Sequence, residues 1–310
     1  MAEAWAGAGA SYAARSVQPT YSKAIKELRQ QKSQYEPHAP LKGGSLTTGV
    51  RSLILVATAV AAIVLIFSRP SIPQPSGYHD FADQHAFVGL PNALNVISNM
   101  PFLFIGVWGL LVVTGHKNEG SFLSTSHRVP YAVFFLGVAL TFFGSSYYHL
   151  HPTNARLVWD RLPMTLGFMG ILSSAVAERI SLKVGTLLLA PLVVAGLLSV
   201  IYWYAAEVTG HGDLRPYLVV QFGSLLLLLG LLIFFPSPYT ESKALGLALA
   251  LYVAAKLCES LDSQIYAIGH AVSGHTVKHL AAALAAYFVV HMLRRRTWRD
   301  GRQFKPIAAG

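Results

Sequence analysis

Eight stretches of the chain stay apolar for about twenty residues each, near residues 52–68, 92–114, 129–149, 160–179, 184–205, 216–236, 242–262 and 275–293. A helix needs about 20 such residues to cross the hydrocarbon core of a bilayer. The pattern therefore predicts an all-α, polytopic membrane protein with eight spans. The first stretch, LILVATAVAAIVLIF, closes at Arg69-Pro70 and follows some fifty mostly polar residues. It reads as an anchor helix over 51–70, since a cleavable signal peptide has a short charged lead. Residues 1–50 mix Pro, Gly, Ser and Gln without apolar periodicity and are expected to be mostly disordered. Within them, Tyr21–Gln34 could form a short basic helix on anionic lipid. The remaining pieces are a seven-helix unit over 71–295 and a basic tail over 296–310.

Composition sharpens this picture. Charged residues make up 12% of the chain and hydrophobic residues 53%. A soluble domain carries about 25% charged residues, so a soluble globular enzyme is excluded. The net charge of +10 need not imply nucleic acid, because no basic stretch is interleaved with aromatics. It fits the excess of Lys and Arg in cytoplasmic segments of membrane proteins. Eight spans place both tails and the even-numbered loops on one side, which then holds 18 of the 24 Lys and Arg; the other side holds Arg69, Arg156, Arg161 and Arg215, and Lys256 and Lys278 lie within spans. Both termini are thus expected in the cytoplasm, of an endomembrane in a eukaryote or the inner membrane in a bacterium. Cys258 is the single cysteine, which rules out a disulfide framework and a thiolate metal cluster.

The topology gathers the chemistry. His149 ends the third span, Asp160 opens the fourth, and His275 and His279 open the eighth, all at the outer depth. His79, His85, His151, His211 and His270 fall on that side too; His38, His116 and His127 fall on the other, with His291 near it. His275 and His279 are four apart and face one way on a helix. Ser145 and His149 share the same spacing. Three His ligands plus water is the pattern of an open zinc site, in which the metal lowers the pKa of bound water and polarises a carbonyl. Asp160 could carry the proton and Ser145 donate to a developing oxyanion. The alternative for the three histidines is polar packing between helices. Lys256 and Glu259, one turn apart, are expected to pair, with Asp262 as their neighbour; alternatively Glu259 or Asp262 could face the site. Tyr147, Tyr148, Trp159 and Trp203 read as an interfacial belt, and span glycines as close helix packing.

GSSYYH (144–149), WDRLPM (159–164) and SGHTVKH (273–279) together resemble the alkaline ceramidase family. That family belongs to a superfamily of seven-span membrane hydrolases that includes the adiponectin-type receptors. Its hallmark is a serine four residues before a histidine in one span, an aspartate opening the next, and HxxxH in the last. These match Ser145, His149, Asp160, His275 and His279. The resemblance covers about residues 78–295 and leaves out the first span and the N-terminal tail. It implies a seven-helix hydrolase core plus one extra N-terminal helix. It also implies zinc on His149, His275 and His279, with Ser145 and Asp160 beside it as catalytic groups. The reaction implied is hydrolysis of the amide of a ceramide-like membrane lipid to a sphingoid base and a fatty acid.

Animal ceramidases also bind calcium through an acidic segment before the first core span. The equivalent stretch here, YHDFADQHAFVGLPNALNVISN (78–99), offers Asp80, Asp83 and Asn92 as candidate calcium ligands, with Asn95 in reserve. Calcium takes six to eight oxygens, and the family's Trp-Cys-Glu run is absent. YHDFADQ is more similar to the bacterial and plant branch. Otherwise Asp80 and Asp83 cap a loop, and Asn95, Ser98 and Asn99 bond across helices. Rival functions are a receptor of the same superfamily with a structural metal, a haem-binding electron carrier and a transporter. The last would favour broken helices at the midplane.

Overall fold

The computed structural model describes residues 46–115, 121–122 and 124–299. The segment with the expected basic helix Tyr21–Gln34, together with His38, His116 and the tail beyond Arg299, lies outside the described residues. Among the described residues the architecture is helical throughout, without strands.

The long helices are α1 (Thr48–Phe67), α2 (Ala93–Thr114, interrupted at Ser98 and Asn99), α3 (Thr125–Leu150), α4 (Asn154–Arg179), α5 (Leu182–Val208), α6 (Arg215–Phe234), α7 (Lys243–Ser260), the short α8 (Asp262–Gly269) and α9 (Gly274–Arg295). Six of them, α1, α2, α3, α5, α6 and α9, are long and apolar enough to cross a membrane. The α7–α8 pair, bent by 75°, makes a seventh if it is one span. The remaining long helix, α4, is as long as α3 but carries Arg156, Asp160 and Arg161 near one end and Glu178 and Arg179 at the other. It is also among the most buried, packing on both α3 and α5. Of these polar residues Asp160, Arg161 and Glu178 are buried inside the protein.

Local chemistry sets the helix ends. Ser124, Thr153, Ser181 and Ser273 each accept a backbone N–H of the first turn of α3, α4, α5 and α9. Pro152 stops α3 just past His151. Large apolar side chains of α1, α2 and α5 point outward, as expected of faces that meet lipid. In α1, Leu55 is the one buried residue; it packs at Gly230 of α6, and Arg51 donates to the Phe234 carbonyl.

The span glycines do bring helices together. Gly106 of α2 lies against Ala139 of α3, and Gly185 of α5 against Ala177 of α4. The closest approach is at Gly144 of α3, where a Cβ would overlap the Trp159 carbonyl oxygen of α4. Pro163 explains why that carbonyl is available. Proline has no N–H, so the carbonyl four residues earlier lacks its helical partner. Only a glycine can come close enough to cover it. This contact lies one residue before Ser145 on α3 and one residue before Asp160 on α4.

Candidate metal centre and its cavity

His149 ends α3, and His275 and His279 lie one turn apart at the start of α9. All three are buried, and one ring nitrogen from each falls within 4.8 Å of the others. His149 Nε2 is 3.3 Å from His275 Nε2. The rings meet edge to face with centroids 4.8–4.9 Å apart. Among the described residues this is the one group of three His, Cys, Asp or Glu side chains so disposed.

The neighbours fix how each ring points. Ser98 Oγ donates to the Asn95 carbonyl, so at 2.8 Å it accepts from His279 Nδ1. His279 therefore carries its proton on Nδ1 and turns the lone pair of Nε2 inward, where it is buried without a partner. Lys278 Nζ lies 2.8 Å from His275 Nε2. An ammonium only donates, so this nitrogen also offers its lone pair. Phe81 packs on His149 and His275 at 4.8 and 4.5 Å. Asp262 accepts the N–H of His275 and of Ala82, tying the loop, the α7–α8 bend and α9 together.

These observations suit a metal ion. Two nitrogens at zinc bond lengths of about 2.0–2.1 Å in a tetrahedron stand about 3.3 Å apart, the spacing of His149 and His275. The unpartnered Nε2 of His279 is the group a cation would satisfy, and the Ser98 contact is the kind of outer support that orients metal-bound imidazoles. Lys278 has a second partner, Glu259, at 2.9 Å, which can hold it when the His275 lone pair is taken. Neutral N/O donors suit zinc without singling it out.

Three of the expected residues, Ser145, Asp160 and His279, line one end of an apolar cavity of about 440 Å³, and His149 and His275 adjoin it through His279. Ser145 and Asp160 are both buried, adjoin each other, and line its polar end with His279. From there the cavity follows α3 to Phe134 and α9 to Val289, about 16 Å of helix in each case. A pocket of this size with a few polar groups at one end is the usual form of a small-molecule site. Tyr78 also lines it; burial, above all, raises its phenol above the usual tyrosine range, so it is a neutral donor.

Of the candidate calcium ligands, Asp80 is exposed, while Asp83 and Asn92 have partners of their own: Asp83 Oδ1 accepts from both the backbone and the ring of His85, and Asn92 donates to the His149 carbonyl. The segment caps and braces the histidine cluster. Other expectations need correction. Asn95 and Ser98 bond across helices, to Thr276 and His279, but the Asn99 amide donates within its own helix. Tyr148 and Trp203, expected in an interfacial belt, are fully buried; Tyr147 and Trp159 are exposed. Tyr148 meets His79, whose second nitrogen meets Asn154, so that histidine is structural. Lys256 and Glu259 pair as expected, and Glu259 also holds Lys278.

Sequence reading gave Lys278, Ser98 and Phe81 no part in this centre. Lys278 carried a signal, as a cation inside HxxxH. So did Ser98, in a polar stripe with Asn95 and Asn99 on an otherwise apolar span. Phe81 carried none, because its contacts come from the fold.

No model of a known protein family matches this chain, and no curated protein matches it at a significant level.

Proposed function

We propose that the protein is a zinc-dependent amidohydrolase of the membrane, acting on the amide of a ceramide-like lipid. The observation that carries this reading is a cluster of three buried histidines, one of which, His279, lines the polar end of a long apolar cavity together with Ser145 and Asp160. The proposal includes eight crossings, α4 among them, as a seven-helix core with α1 added. It places both termini in the cytoplasm, a reading supported by the distribution of Lys and Arg.

His149, His275 and His279 would hold the zinc. When bound, zinc supplies Lewis acidity and lowers the pKa of water. The apolar cavity takes the acyl chain and excludes bulk water from the reacting carbonyl. Asp160 accepts a proton at its carboxylate as water adds to the carbonyl carbon, and returns it to the nitrogen as the C–N bond breaks. Ser145 donates a hydrogen bond to the carbonyl oxygen as charge builds there. Glu259 anchors Lys256 and Lys278 at the cavity end, so that neither ammonium is left alone in an apolar setting.

The test is release of fatty acid from ceramide by purified protein in detergent. Turnover is expected in the wild type and about 10²–10⁴-fold less in Asp160→Asn. Undiminished turnover in that variant would sink this assignment.

A further inference from the structure

Arg161 follows Asp160 on α4 and faces the same cavity, yet its own bonding is incomplete. It is buried, and among the described residues it forms no ion pair. Its guanidinium lies over three rings: Trp203 at 4.1 Å, Tyr217 at 4.6 Å and Tyr78 at 5.5 Å. Its one well-formed hydrogen bond runs from Nη2 to Gln74 Oε1 at 2.8 Å, and the Tyr78 hydroxyl adjoins it. Nε and Nη1 are buried without a partner. So is Nε2 of Gln74, whose oxygen must be the atom turned to Arg161 because a guanidinium only donates.

The result is a set of buried donors with no acceptor. A buried charge without its counter-charge is costly, and ring faces leave the in-plane N–H edges free. Those edges match an oxyanion. The nearby charges do not fill that role. Glu259 is taken by Lys256 and Lys278, and Asp160 adjoins Ser145. Counting Arg161, Lys256 and Lys278 against Asp160 and Glu259, the cavity lining keeps one positive charge in excess.

We infer that Arg161 and Gln74 bind an oxyanion carried by the ligand, and that this anion belongs to the amine side of the cleaved amide. Within the lipid-amide reading, the preferred substrate is then an acyl amide with an acidic head group, such as an N-acyl amino acid, hydrolysed to fatty acid and amino acid, with neutral ceramide the weaker-binding substrate. The side assigned to the anion rests on the proposed hydrolase reading; the anion site itself does not. The acyl chain already has the apolar length of the cavity, and Arg161 sits at its polar end, one residue from Asp160.

The test compares N-palmitoylglycine with N-palmitoylethanolamine, which share a chain and differ by a carboxylate against a hydroxymethyl group. Equilibrium binding is measured in nanodiscs of neutral phosphatidylcholine, for wild type, Arg161→Gln and Arg161→Lys, with palmitate as a third ligand. The wild type is expected to bind the glycine conjugate at least about tenfold more tightly. Arg161→Gln should close that gap while keeping the ethanolamide affinity, and Arg161→Lys should keep part of it. Equal wild-type affinities, or a gap that persists in Arg161→Gln, would overturn the proposal. Sensitivity to the substitution for palmitate alone would assign the anion to the released acid and overturn the head-group assignment. Because the readout is binding, selectivity without zinc or turnover would reject the hydrolase reading and keep the anion site.

Discussion

Two buried polar clusters stand at opposite ends of α3, about 27 Å apart from Tyr131 to His149 at 1.5 Å per residue. At the arginine end, Arg296 Nη1 meets Glu178 Oε2 at 2.7 Å, and Nε meets the Ser121 carbonyl at 2.7 Å. Tyr131 and Ser237 donate to the same carboxylate, and the rings of Phe122, Tyr131 and Tyr239 surround the guanidinium. Opposite charges are matched there, and Arg296 proves to be a buried anchor rather than the start of a basic tail. At the histidine end, three imidazoles face one another with no carboxylate among them, and Arg161 sits in an aromatic cage without an ion pair. Both ends bury comparable chemistry. The first matches its central charge with a carboxylate, although Arg296 Nη2 is also buried without a partner, while the second has no carboxylate on its imidazoles or on Arg161 and keeps lone pairs and donors aimed at something else. Intramembrane ionisable groups are costly, and a cluster left open at that cost points to a ligand.

The contrast breaks most sharply if the histidines are structural. His275→Ala is expected to lower amide turnover by at least about a thousandfold, the loss of several kcal/mol of Lewis-acid assistance, while the helices stay inserted. Steady-state turnover beside a circular dichroism spectrum checks this; a folded, inactive variant is the expected result. The converse substitution, Glu178→Ala, strands Arg296 in the interior. It should cost about 3–5 kcal/mol of stability and leave zinc content per folded chain unchanged, as thermal unfolding and metal analysis of the surviving protein would show.

Smaller changes refine the comparison. Gly144→Val pushes α3 from the Trp159 carbonyl. It should destabilise by about 1–3 kcal/mol and reduce turnover more than zinc content, because Ser145 and Asp160 separate while the histidines remain. Ser98→Ala frees the His279 ring and is expected to weaken zinc about 10–100-fold, measured by competition with a chelator. The smallest effect lies outside both clusters, in the α5–α6 connection. Asp213 accepts from the backbone and side chain of Arg215, and those side-chain bonds hold its carboxyl below the usual range. A depressed carboxyl stabilises the fold above its unfolded pKa, and that contribution is lost as pH falls through the folded value. Asp213→Asn should thus melt slightly below wild type at pH 7, and the two melting curves should converge in acid.

How much of this was legible in the sequence depends on whether the signal was local. The spans were readable as runs of about twenty apolar residues. The helix α4 was readable in the same way as an element, although its polar ends keep it apart from the six helices apolar enough to cross a membrane. The His275/His279 pair was readable because a spacing of four is a helix face, and the topology brought His149 to the same end. The arginine clusters were not readable. The cage of Arg161 is built by residues 78, 203 and 217, and the partners of Arg296 come from residues 121, 131 and 178. In sequence each looked like one more charge in the count of Lys and Arg. Asp80, Asp83 and Asn92 were candidates only through the family resemblance, and their local contacts were not readable either: Asp83 holds His85, and Asn92 reaches the His149 carbonyl across the fold.

The most direct measurement is elemental analysis of the purified, detergent-solubilised protein, alongside His149→Ala and the double variant His275→Ala/His279→Ala. About one zinc per chain in the wild type, lost in both variants while they remain folded, is the expected result for an open three-histidine site. No metal in folded wild-type protein, or zinc retained in the variants, would contradict the account.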